Sequence, residues 1–188
     1  MTELMHDSKK PVTIVSPVEV GIGESQVLVV TEIPLRPSAR RILEVFREVE
    51  VTNCKPIKDK VIINGELRKT ILFLPDCPGQ VGGIGSDKKR PPGGSGTGCG
   101  DTASQCRVSF SDVKAVCVNA PFAMFIEVPG SREGDICIIE EARVEGSKEE
   151  ELDIRDDGSF GALLEKTVIL VKAKVARQRQ IPVRPDWP

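Results

Sequence analysis

The residues that could do chemistry are few: six cysteines, one histidine and a run of carboxylates. The cysteines are Cys54, Cys77, Cys99, Cys106, Cys117 and Cys137. A zinc site needs close pairs such as C-x2-C with histidine partners, and neither is present. The redox spacing C-x-x-C is absent too. Two readings of the thiols remain. They are small buried hydrophobes, or they cross-link by oxidation within or between subunits. All six are candidate disulfide residues, and the spacing leaves their connectivity open.

Acid–base chemistry has little to work with. The single histidine, His6, sits in a polar leading segment, so a Ser/His/Asp or Cys/His arrangement is not expected. A Lys or Cys nucleophile stays open, although nothing marks one. Nine carboxylates lie between Glu140 and Asp157. Paired carboxylates can hydrolyse glycosides, but consecutive Glu149, Glu150 and Glu151 beside Gly146 and Ser147 read as a solvated loop. The stretch from Lys166 to Arg184 is basic. It either pairs with the acidic segment, across strands or between subunits, or forms a solvated face. Asp153 to Gly158 lacks the third and twelfth ligands of a calcium loop, and Asp157-Gly158 reads instead as a hairpin turn. The run Gly93 to Gly100 has no Lys and no following helix, so it is no phosphate loop. The expectation is a protein with no metal, no cofactor and no enzymatic activity.

The elements that would position these residues have a period of two. From Val61 the chain places Val61, Ile63, Gly65, Leu67, Lys69, Ile71 and Phe73 on one face. Gly65 suggests a bulge or sharp coil there. A strand around Val49 and Val51 precedes it, joined by a turn within 53–60. Further strands are expected over 12–20, 26–33, 107–110, 113–119, 122–128, 135–145 and 163–176. Only about Pro37 to Phe46 could be helical. The fold class is therefore all-β, a sandwich or barrel-like domain of about eight strands. The β domain is read as residues 21–177. It is flanked by an N-terminal arm (1–20), a possible inter-subunit strand, and a Pro-rich tail (178–188). A long Gly-rich loop bounded by cysteines, 77–106, holds nine of the 17 glycines.

Composition narrows the function classes. With 188 residues, 39% hydrophobic and 29% charged, the chain is a globular domain rather than a disordered one. The formal charge of −2 disfavours a nucleic-acid binder. No apolar run approaches the ~18 residues of a membrane-spanning helix. The leading segment has no secretory pattern, so synthesis in the cytoplasm is expected.

Some residues carry a resemblance. Val49-Glu50-Val51-Thr52, Lys60-Val61-Ile62-Ile63-Asn64-Gly65-Glu66-Leu67, Val128-Pro129-Gly130, Gly134-Asp135 and Glu140 to Glu145 resemble the SPOCS-domain family, over a core of about 42–145. The K-V-I-x-x-G-x-L piece and the V-P-G turn are its more specific parts. The resemblance implies a β-rich module of spore-forming Firmicutes, associated with spore-coat assembly and working through protein contacts. The family has no catalytic motif to carry over. Two expectations follow. The chain is a self-assembling subunit of a spore-surface or extracellular layer or filament. Alternatively, it is an adaptor that binds a spore-coat morphogenetic protein. Its final location would be the spore surface or the extracellular space, after deposition by the mother cell or lysis.

Overall fold

A computed structural model of the chain describes residues 12–76 and 113–183. Among the described residues, five strands form one antiparallel sheet: β1 (Val12–Ile57), β2 (Lys60–Pro75), β3 (Lys114–Glu127), β4 (Ile136–Ile154) and β5 (Phe160–Val183). The order across the sheet is β3-β2-β1-β5-β4. The all-β class read from the alternation holds, with fewer and longer strands than the eight expected.

The merger has a physical cause. β1 takes in the segments read separately at 12–20, 26–33 and 49–52. Its register shifts at Glu19/Gly21, between Pro34 and Ala39, and at Val51/Asn53. Each irregularity resets the phase of the side chains, which in sequence looks like a turn, while the ladder continues through it. Gly21-Ile22-Gly23, which looks like a separator, is paired throughout with β5. Gly23 is small because β1 there crosses close to β3: a Cβ would lie 2.4 Å from the Glu127 carbonyl oxygen. Residues 37–46, read as the one helical candidate, are strand. Their poor helical spacing reflects pairing with β2.

The two halves of β1 have different partners. Val12–Pro34 pairs with β5, and Ala39–Ile57 pairs with β2. The sheet bends between them, so its halves share one interior without closing into a barrel. The inward face of β2 is the predicted one, with Val61, Ile63, Leu67, Ile71 and Phe73 buried. Val61, Ile63 and Leu67 pack in a cluster with Phe122 and Ile126 of β3 and Ile169, Val171, Ala173 and Val175 of β5. A second cluster, with Ile33, Leu35, Ala39, Phe73, Phe160 and Leu163, fills the bend. Gly65 itself is regularly paired; the bulge lies opposite, on β1. A Cβ at Gly65 would sit 2.4 Å from the Phe122 ring, so the glycine admits that ring to the core.

The arm read at residues 1–20 is, over 12–20, part of β1 and pairs with 176–183 of the same chain. The boundaries read at 20/21 and 177/178 fall inside β1 and β5. The Gly-rich loop 77–106, the strand expected at 107–110 and residues 1–11 and 184–188 lie outside the described residues.

Candidate functional site

Four features are available to function: the thiols, an interior charge cluster, a clasped loop and the sheet edges. The structure brings Cys54 of β1 and Cys137 of β4 together as a disulfide, with a Cα–Cα separation of 6.0 Å. Cys117 is free and exposed on β3. Its sulfur lies 3.6 Å from the Thr70 hydroxyl. Cys77, Cys99 and Cys106 lie outside the described residues.

The charge cluster sits inside the folded sheet. Lys69 is 1% exposed and Glu165 is 0% exposed. Alternation along β2 turns Lys69 inward with its apolar neighbours, and alternation along β5 turns Glu165 and Thr167 inward to meet it. The Lys69 ammonium lies 3.1 Å from Glu165 Oε2 and donates a hydrogen bond to the Thr31 hydroxyl. Oε2 receives no well-aligned hydrogen bond, so this contact is an ion pair. Glu165 Oε1 accepts from Arg47 Nε and from the Thr167 hydroxyl. Arg47 continues outward to Glu149 of β4. Burial pushes the Glu165 carboxyl up, but the Arg47 hydrogen bond and the charges of Arg47 and Lys69 outweigh it and hold the group below its ordinary range. The cluster sets two cations, Lys69 and Arg47, against two carboxylates, Glu165 and Glu149. Sequence reasoning singled out no role for it, although Lys69 stood on an apolar face. A shallow groove of about 370 Å3 lies beside Arg47, lined by Ile42, Leu43, Glu149 and Glu151 among others.

The third feature is the loop between β3 and β4. Gly130 has φ +86°, and its N–H donates to Asp59 Oδ1 at 2.8 Å. Asp59 lies in the two-residue turn between β1 and β2, narrower than the turn expected over 53–60. The Ser131 hydroxyl donates to the Ile57 carbonyl at 2.9 Å. Asp135, its side chain 3% exposed, takes both Nε and Nη2 of Arg177 at 2.7 Å, and Arg177 also donates to the Gly130 carbonyl. Arg177 holds the Asp135 carboxyl below its ordinary value, against the opposing effect of desolvation. These bonds tie the β3–β4 loop to the β1–β2 turn and to β5.

The family model described as SipL, SPOCS domain, matches residues 38–147, more than half of the chain. The chain belongs to the SPOCS-domain family. No curated protein and no solved structure matches it. Membership implies a spore-associated role for this SPOCS domain. The motif residues now have physical jobs. Val128-Pro129-Gly130 and Gly134-Asp135 form the clasped loop, and Gly65 makes room for Phe122.

The edges of the SPOCS domain differ. Among the described residues, β4 pairs only with β5 and carries many glutamates, and β3 pairs only with β2. Between Lys114 and Glu127, β3 has no charged residue, and only Pro121 interrupts it. The acidic segment of β4 and the basic segment of β5 pair across strands: Glu150 binds Lys166 at 3.1 Å and Glu140 binds Lys172 at 3.4 Å. Asp157-Gly158 forms the expected hairpin turn, closed by Arg155 N–H to the Ser159 carbonyl at 2.8 Å. Among the described residues, no group of three or more His, Cys, Asp or Glu could hold a metal ion, and no helix is long and apolar enough to cross a membrane.

Proposed function

We propose that this SPOCS domain is a non-enzymatic structural subunit of a spore-surface layer, assembling with copies of itself by pairing sheet edges. The observation that carries the reading is the uncharged edge of β3. Edge strands that must stay single carry charges, prolines, bulges or a cover, and of these β3 has a single proline, Pro121, between its charged ends. β4 is protected by glutamates and a register shift before Gly146. β3 offers twelve uncharged residues, 115–126, beside the exposed thiol of Cys117. A further support is the interior charge pair, in which Lys69 and Glu165 are buried against each other. The protein would be made in the mother cell and reach the spore surface by deposition or lysis.

Negative-stain electron microscopy of the purified chain, with and without reductant, tests this. Filaments or sheets in either condition are expected. A monomer in both, forming a saturable complex with one coat morphogenetic protein, would replace self-assembly with the adaptor reading.

A further inference from the structure

β1 and β4 share no backbone ladder, yet they lie against each other over part of their length. Arg47 meets Glu149 near one end of the contact and Cys54 meets Cys137 near the other. Residue numbers fall on β4 as they rise on β1, so the two strands run antiparallel. Among the described residues, the backbone of β4 is held by β5 alone. The Cys137 end begins directly after the β3–β4 loop, and Cys137 pairs with Val175 on β5. The disulfide is therefore a covalent link between the two halves of the bent sheet at a place where no backbone hydrogen bonds join them.

We infer that Cys54–Cys137 is a redox-operated staple that fixes the start of β4 to β1 only once the protein meets an oxidant. The Cα–Cα distance of 6.0 Å lies within the span a disulfide bridges without backbone movement. Both cysteines are half-buried against the main core, so each is held in place yet within reach of a small reagent. The oxidant class is a small-molecule disulfide. One thiolate attacks it, releasing one small thiol and leaving a mixed disulfide. The second thiolate then displaces the other small thiol, so two protein thiols are oxidised and one small disulfide is reduced to two thiols. A reducing cytoplasm leaves the pair open. Oxidation then closes a loop of sequence separation 83 that spans β2 and β3. The inference concerns the fold of one chain and stands whether or not copies assemble.

The test uses the full chain, reduced with dithiothreitol or oxidised with glutathione disulfide. Non-reducing peptide mapping of the oxidised monomer is expected to yield a linked pair containing Cys54 and Cys137. Hydrogen exchange is then read at the amides of 136–144. Reduction is expected to speed exchange there by about tenfold or more, leaving the amides at the centre of β2 unchanged. The variant Cys54→Ser with Cys137→Ser should match the reduced protein in either buffer. Linkage of Cys54 to another cysteine, or equal exchange at 136–144 in both redox states, overturns the inference. The reduced wild type supplies that comparison even if the double variant fails to fold.

Discussion

Removing the Lys69 ammonium leaves the Glu165 carboxylate buried beside Arg47 and two hydroxyl-bearing side chains. Breaking a buried pair by removing one partner costs about 3–5 kcal/mol, whereas replacing both partners with apolar groups is often close to neutral. Lys69→Met and Glu165→Leu should each be strongly destabilising in urea unfolding, and the double variant should be less destabilised than either single change. Additive losses would show that the pair acts through packing alone. Acid should act at the same place. The folded-state carboxyl of Glu165 titrates below its ordinary 4.5, so the unfolded chain takes up the proton first as pH falls. Its contribution is then complete above that value and disappears as pH drops through the folded-state one. Glu165→Gln should lower stability at neutral pH and flatten the stability curve below pH 4.5. A curve parallel to wild type would contradict this. The inward position of Lys69 was legible in the alternation of β2. Its partner was not, because Glu165 meets it only across the core, 96 positions later in the chain. The Cys54–Cys137 pairing was hidden for the same reason.

At the level of elements, the family match and the physical sheet have different limits. Residues 38–147 hold the second half of β1, all of β2 and β3, and the first part of β4. They omit β5, which lies between β1 and β4 and supplies Ile169, Val171, Ala173 and Val175 to the core. They also omit Arg177, the partner of Asp135. A fragment of 38–147 should therefore lack a cooperative thermal transition, while 12–183 should retain one; circular dichroism melting distinguishes them. A fragment that melts cooperatively would mean the first three strands form a core without β5. Strand alternation made the inner face of β2 readable from sequence. It failed at the bends of β1, where bulges shift the phase without ending the pairing, and at 37–46. There the outward residues Arg40, Arg41, Leu43 and Glu44 break any simple pattern.

Over the whole molecule, the charge pattern of the two outer strands decides what the sheet can join. β4 carries repelling glutamates, and β3 carries none between its ends. Ala123 is exposed on β3 opposite Asn64, so Ala123→Lys places a charge on that edge without touching the core. It should abolish assembly seen by sedimentation while changing thermal stability by less than about 1 kcal/mol. Unchanged assembly would move the contact to another surface. One further property follows from the pairing of Val12 with Val183. The first and last described residues lie side by side at one end of β5, and the Arg155–Ser159 turn lies at the other. A circular permutant, joined by a short linker across the first pair and opened in that turn, would keep all four ladders. Any passenger fused to its ends would then be carried from one end of β5 to the other.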